Sequence, residues 1–152
     1  MRVVFVVGPP GAGKSTYVRR EFQDADVVDL WDFQDYDVAS VEAVWQSYLD
    51  CEKALKEALV RAKEREENGE DATVVLEHTL LMRKRRPMYV DAVREITDAP
   101  IEIHVLLPDE REYKRRCREA GLFLGEYVDM SSYELFEAPR EDDGFSEIRY
   151  VR

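Results

Sequence analysis

Five short apolar runs, rich in β-branched residues, punctuate the chain: Arg2 to Val7, Asp26 to Asp29, Thr73 to Leu76, Ile101 to Leu107 and Ser146 to Val151. Between them the apolar positions recur every three or four residues, as on one face of a helix. This alternation predicts an α/β fold in which helices connect the strands of a mainly parallel five-stranded sheet. Between the second and third runs, Val41, Val44, Trp45, Tyr48, Cys51, Leu55, Ala58, Leu59 and Ala62 keep helical spacing until Asn68-Gly69. That spacing predicts one helix about 40 Å long, and the glycine supplies its stop. Its other face carries Glu52, Lys53, Lys56, Glu57, Arg61 and Glu64, a solvated surface with weak charge pairs. Pro87 suits the first position of a third helix running to about Thr97, and Asp109-Glu110 open a fourth that Gly121 ends. From Leu122 to Asp143 the periodicity breaks and Gly, Ser, Pro and acids accumulate, which reads as a mobile cover and a loop before the last strand.

The chemistry is written after the first strand. Gly8-Pro9-Pro10-Gly11-Ala12-Gly13-Lys14-Ser15-Thr16 fits G-x-x-x-x-G-K-[ST] between a strand and a helix, the context in which that loop cradles phosphates. Glycines at 8, 11 and 13 let successive N–H groups turn towards phosphate oxygens, and the helix opening at Lys14 adds its positive end. Lys14 can reach the β and γ phosphates. Ser15 offers Mg²⁺ the hard oxygen that it prefers, and Thr16 reads as a packing or first-turn residue. A nucleoside triphosphate, ATP in the first instance, and Mg²⁺ are the expected cofactors.

Composition narrows the partners. Thirty-three acidic against 22 basic residues give a net charge of −11, a field that repels long polyanions unless cations cluster locally. No apolar run approaches the roughly 20 residues of a membrane span, so no membrane partner is expected. Cys51 and Cys117 show no metal-binding spacing and read as reduced thiols of a cytoplasmic protein. The length suits a single domain, residues 1–152.

No guanine-reading Asn-Lys-x-Asp is present, which leaves a small phosphotransferase. Such an enzyme needs a carboxylate for the hydroxyl proton, Mg²⁺ ligation, mobile cations and a hold on the acceptor. Four segments of the chain resemble the polynucleotide 5'-hydroxyl kinase branch of the small P-loop kinases. They are Gly8 to Phe22, Val27 to Asp32, Val74 to Arg86, and Lys114 to Arg118 continuing through Phe136 to Pro139 and Asp143 to Glu147. The resemblance implies a three-layer P-loop kinase fold with a small lid at about 115–131.

The resemblance also implies roles. Asp32 would be the base that takes the acceptor proton, with Asp29 as competitor, and both can equally be strand-end turn acids. The family's Asp-Thr-Asn stands here as His78-Thr79-Leu80, so Thr79 is a candidate acceptor contact and Glu77 could replace the missing acid. His78 reads as a structural residue rather than a catalyst. A lid arginine would reach the transferring phosphoryl group, and Arg118 is preferred to Arg116 for it. Arg85 and Arg86 precede the Pro87 helix, where its dipole disfavours cations. An anionic substrate, or Asp91 and Glu95, would compensate them. Where the family places an acceptor-binding arginine, Phe33-Gln34-Asp35 stands. Trp31 could stack on an acceptor base or fill the core, and Phe136, Pro139 and Phe145 could meet adenine or serve packing.

Three readings remain: a kinase acting on a hydroxyl of a nucleic-acid 5' end or nucleotide-like acceptor, a small-molecule or nucleotide-sugar kinase of the toxin-like kind, and a nucleotide-binding switch with slow hydrolysis.

Overall fold

The computed structural model describes residues 1–34, 40–122 and 127–152. Its strands are β1 (Arg2–Val7), β2 (Asp26–Asp29), β3 (Thr73–His78), β4 (Ile101–Leu106) and β5 (Glu147–Val151), in the sheet order β2-β3-β1-β4-β5. Every neighbouring pair is parallel. β3 runs two residues beyond its apolar run because Glu77 and His78 stay in register with Val6 and Val7.

The helices are α1 (Lys14–Glu21), α2 (Val41–Glu67), α3 (Arg86–Ile96), α4 (Glu110–Glu119) and a short α5 (Ser131–Glu134). Side chains alternate along β1, so Val3, Phe5 and Val7 join one core with Leu55 and Leu59 of α2 and Tyr89 and Val93 of α3. Val4 and Val6 join another with Tyr17 and Val18 of α1 and Tyr113 and Cys117 of α4. A strand buried on both faces must be apolar throughout, which explains the unbroken Val-Val-Phe-Val-Val of β1. The result is the expected three-layer α/β fold.

From β1 the chain moves outward to β2, returns with β3 and then crosses to β4 on the other side. That reversal opens a crevice at the carboxyl end of β1, where open α/β sheets place ligands. Ser40 caps α2, its hydroxyl accepting the Ala43 N–H at 3.1 Å. Asp109 caps α4 in the same way through the Glu112 N–H at 2.9 Å.

Three expectations need adjustment. Arg86, not Pro87, is the first residue of α3, preceded by a 3-10 turn at Arg83–Arg85. The segment before β5 contains α5 and a 3-10 turn at Glu141–Asp143. It is also tied down, with the Glu137 N–H donating to the Leu81 carbonyl at 2.7 Å and Arg83 paired with Asp143. Of the expected lid and cover, residues 123–126 lie outside the described residues, as does Asp35.

Candidate active site

The loop between β1 and α1 is shaped by its glycines. Gly13 takes a left-handed conformation, φ 96°, at the start of α1. Gly8 has φ 155°, and a Cβ there would stand 2.3 Å from the Leu106 carbonyl oxygen. Only glycine lets β1 and the end of β4 approach so closely. The loop bordered by Pro9, Pro10, Gly11 and Ala12 folds around Lys14, whose ammonium donates to the carbonyls of Gly8 at 2.8 Å and Pro9 at 3.0 Å. Burial pushes the Lys14 pKa down to about 8, against the opposing pull of Glu77 and Asp29.

Ser15, on the first turn of α1, donates its hydroxyl to the Glu77 carboxylate on β3. Glu77 is buried, and that burial raises its pKa, while Ser15 and Lys14 act in the other direction. Thr16 is exposed in the first turn and lines the phosphate-loop cleft, so it has no packing role.

α4 also grips the loop. Tyr113 donates its hydroxyl to the Pro10 carbonyl at 2.7 Å, and Arg116 donates Nη1 to the Ala12 carbonyl at 2.6 Å. Arg116 also holds Glu112 at 3.0 Å, while Arg115 pairs with Glu112 and Glu119 and Lys114 pairs with Glu110. The cleft over the loop has a volume of about 610 Å³, with Lys14, Ser15, Tyr17, Trp31, Arg116 and Val151 in its walls. Arg118 is exposed and does not line this cleft as the described residues form it. The geometry therefore brings Arg116, rather than the preferred Arg118, to the loop. Trp31 is half-buried at the cleft wall.

Asp29 and Asp32 face a second cleft of about 530 Å³, shared with Ser15, Arg19 and Glu77. Asp29 accepts the Trp31 N–H at 3.0 Å, capping the 3-10 turn Leu30–Phe33. Burial raises its pKa, with Asp32 adding in the same direction and the Trp31 bond and Lys14 opposing. Asp32 is exposed on that turn.

In the basic segment after β3, Arg86 holds the backbone. Arg86 is 1 % exposed. It donates to the carbonyls of Leu80 at 3.0 Å, Leu81 at 3.2 Å and Glu137, and its guanidinium lies over Phe136. Its hydrogen-bond partners are carbonyl oxygens rather than Asp91 or Glu95, and its buried Nη1 has no hydrogen-bond partner among the described residues. Arg85 sits over the Trp45 ring, 5.7 Å from its centroid. Thr79 accepts the Gly8 N–H through its carbonyl at 3.2 Å. His78 is buried; Leu80 N–H donates to its Nδ1 at 3.1 Å, so Nε2 carries the proton and donates to the Tyr89 hydroxyl at 3.0 Å. Tyr89 in turn donates to the Tyr48 carbonyl at 3.0 Å. Phe145 is core, edge-on to Phe5, and Phe136 packs beneath Arg86, so neither lines the phosphate-loop cleft.

Residues 3–121 match the family model described as AAA domain. The chain belongs to the AAA domain family. No curated protein sequence matches it significantly. Among solved structures, this AAA domain is similar to a gluconokinase from Sinorhizobium meliloti 1021, with 16% identity over 99% of this chain and 81% of that one, TM-score 0.63. It is similar to Chaetomium thermophilum Kti12 in complex with ADP-AlF3, at 17% identity, 98% and 88% coverage and TM-score 0.60. It is also similar to the Mycobacterium tuberculosis APS kinase CysC in complex with AMPPNP and APS, at 12% identity, 98% and 87% coverage and TM-score 0.56. The AAA domain thus has a P-loop kinase fold. Among its described residues no helix is long and apolar enough to cross a membrane.

No sequence signal marks Tyr113, whose role in gripping the loop has no motif; Glu77 is a candidate for the missing acid, but its bond to Ser15 follows only once β3 is placed beside β1.

Proposed function

We propose that this AAA domain protein is an ATP- and Mg²⁺-dependent phosphotransferase that moves the γ-phosphoryl group to a hydroxyl of a small acceptor. Residues 1–152 form one kinase unit, with 115–131 as its lid. The observation that carries this reading is the shared cleft in which Ser15 and Glu77 meet Asp29 and Asp32.

The Ser15 hydroxyl and Glu77 carboxylate are hard oxygens one hydrogen bond apart, and this donor set fits Mg²⁺. Among the described residues no group of three or more His, Cys, Asp or Glu side chains could hold a metal. Mg²⁺ commonly takes one or two protein oxygens and completes its shell with phosphates and water. When bound, it neutralises charge on the phosphates.

The loop amides and Lys14 hold the polyphosphate, and Arg116 stands beside the loop to offset charge in transfer. The acceptor oxygen bonds to the γ phosphorus as the bond from that phosphorus to the bridging oxygen breaks. ADP leaves with the electron pair, and the hydroxyl proton passes to Asp32, with Asp29 as the alternative base. A small acceptor is favoured over a nucleic-acid 5' end because the chain carries a net charge of −11, a field that repels a long polyanion.

Labelled ATP tests the proposal against a panel of small alcohols, sugars and oligonucleotides with free 5'-hydroxyls. Label on a small acceptor is the expected result. Label on oligonucleotide ends would assign the acceptor to nucleic acid, and free phosphate alone would favour the switch reading. Absence of calorimetric heat with any triphosphate plus Mg²⁺ would remove the proposal.

A further inference from the structure

We propose that the apolar cleft between the amino-terminal half of α2 and the segment after β3 is the acceptor subsite, and that its occupant is a small planar aromatic alcohol carrying one anionic group. The inference rests on the phosphotransferase reading above and specifies its substrate.

The cleft has a volume of about 690 Å³, with Val41, Val44, Trp45, Tyr48, Leu81 and Arg85 among its walls. Ligand pockets for small molecules span about 300 to 1,000 Å³ and are mostly apolar with a few placed polar groups. Val41 is 83% exposed, and Val44 and Trp45 are 43% and 44% exposed, so apolar surface is offered to solvent inside a concavity. Thr79 lies in the wall, and its carbonyl receives the Gly8 N–H. One wall residue of the cleft is therefore hydrogen-bonded to the first residue of the phosphate loop.

The wall is built with some strain. Leu80 has φ 37°, a conformation that costs a leucine energy and persists only when neighbours impose it. The His78 ring holds its N–H and Arg86 holds its carbonyl.

Charge fixes the chemistry of the occupant. Arg83 is engaged by Asp142 and Asp143, and Arg86 by backbone carbonyls. Arg85 remains, held over the indole of Trp45, and among the described residues it has no ion pair. A guanidinium beside an aromatic face presents N–H groups for an anion, and apolar surroundings strengthen that attraction. A polyol would set its hydroxyls against Val41, Val44 and Trp45 without partners. A planar ring instead covers this surface by stacking.

Calorimetry with the full chain, in the presence of a non-hydrolysable ATP analogue and Mg²⁺, tests the inference with three classes of probe. Ring and anion together are represented by 4-(hydroxymethyl)benzoate and uridine 3'-monophosphate, the ring alone by benzyl alcohol and uridine, and the anion alone by gluconate and glycerol 3-phosphate. Label transfer from ATP to the same compounds is measured in parallel. At least one compound with both ring and anion should bind about tenfold or more tighter than those lacking either part and should take label. Trp45→Ala and Arg85→Gln should each weaken it about tenfold while triphosphate affinity stays within about twofold. Equal or tighter binding by the anion-only compounds, full affinity in both variants, or no binding by either ring-and-anion compound while the triphosphate binds normally would overturn the inference and leave the phosphotransferase reading standing. If the unaltered protein fails to bind triphosphate, the phosphotransferase reading falls, and the acceptor role of this cleft falls with it.

Discussion

Arg116 donates to the carbonyl oxygen of Ala12 at 2.6 Å, joining α4 to the phosphate loop across 104 positions of sequence. The same side chain is held by Glu112 at 3.0 Å, so its charge is placed at the loop before any phosphate arrives. Preorganised charge of this kind acts on the transition state without a reorganisation cost. Arg116→Ala should lower kcat about 100-fold or more, whereas Arg118→Ala should stay within about threefold. Steady-state kinetics on purified variants decide, and a reversed order would return the role to Arg118.

Lys14 makes nucleotide affinity depend on pH. Burial holds its pKa near 8 in the free protein, and a bound polyphosphate must raise it by stabilising the ammonium. Below about pH 8 the lysine is already charged and affinity is full. Above it, binding takes up a proton and affinity falls by up to about tenfold per pH unit. Calorimetry from pH 7 to 9.5 in buffers of different ionisation enthalpy should show both the decline and the proton uptake.

The two aspartates separate by what each already does. Asp29 is occupied in capping the turn through Trp31, whereas Asp32 is exposed on the same turn. Asp32→Asn should abolish turnover with ATP affinity within about threefold, a loss expected of an essential proton acceptor. Asp29→Ala, which removes the cap, should lower the stability read by urea denaturation by about 1 kcal/mol, whereas Asp29→Asn keeps the accepting oxygen. Normal turnover in Asp32→Asn would move the base to Asp29.

His78 couples stability to acid. Burial and the nearby Lys14 ammonium lower its pKa to about 3 from an ordinary 6.5. As pH drops below about 6.5 the unfolded chain gains a proton that the folded chain refuses, and each pH unit then costs about 1.4 kcal/mol of stability. His104, also buried and shifted downward, adds to the slope. Urea denaturation between about pH 6.5 and 5.5 should therefore be less pH-dependent in His78→Gln than in the unaltered protein.

The strands and the phosphate loop were legible because they are governed by local rules. β1 must be apolar on both faces, and the loop needs glycine where Gly8 meets Leu106. Arg86 was not legible: it has the composition of a surface cation, yet it holds three carbonyls, and those of Leu80, Leu81 and Glu137 converge only after folding. The end of β3 was misjudged for a related reason. Glu77 and His78 are polar, so an apolar-run reading stops at Leu76, while the pairing with β1 and the contacts with Ser15 and Tyr89 keep them in the strand.

The two layers of the sandwich have a consequence for diversification. α1 and α4 grip the phosphate loop from one face of the sheet, whereas α2, which walls the apolar cleft, belongs to the other. On the reading that the apolar cleft takes the acceptor, mutational drift along the exposed start of α2 would remodel the choice of acceptor while the machinery for the donor stays intact, and one inherited scaffold would be retuned to new targets without relearning how to hold its fuel.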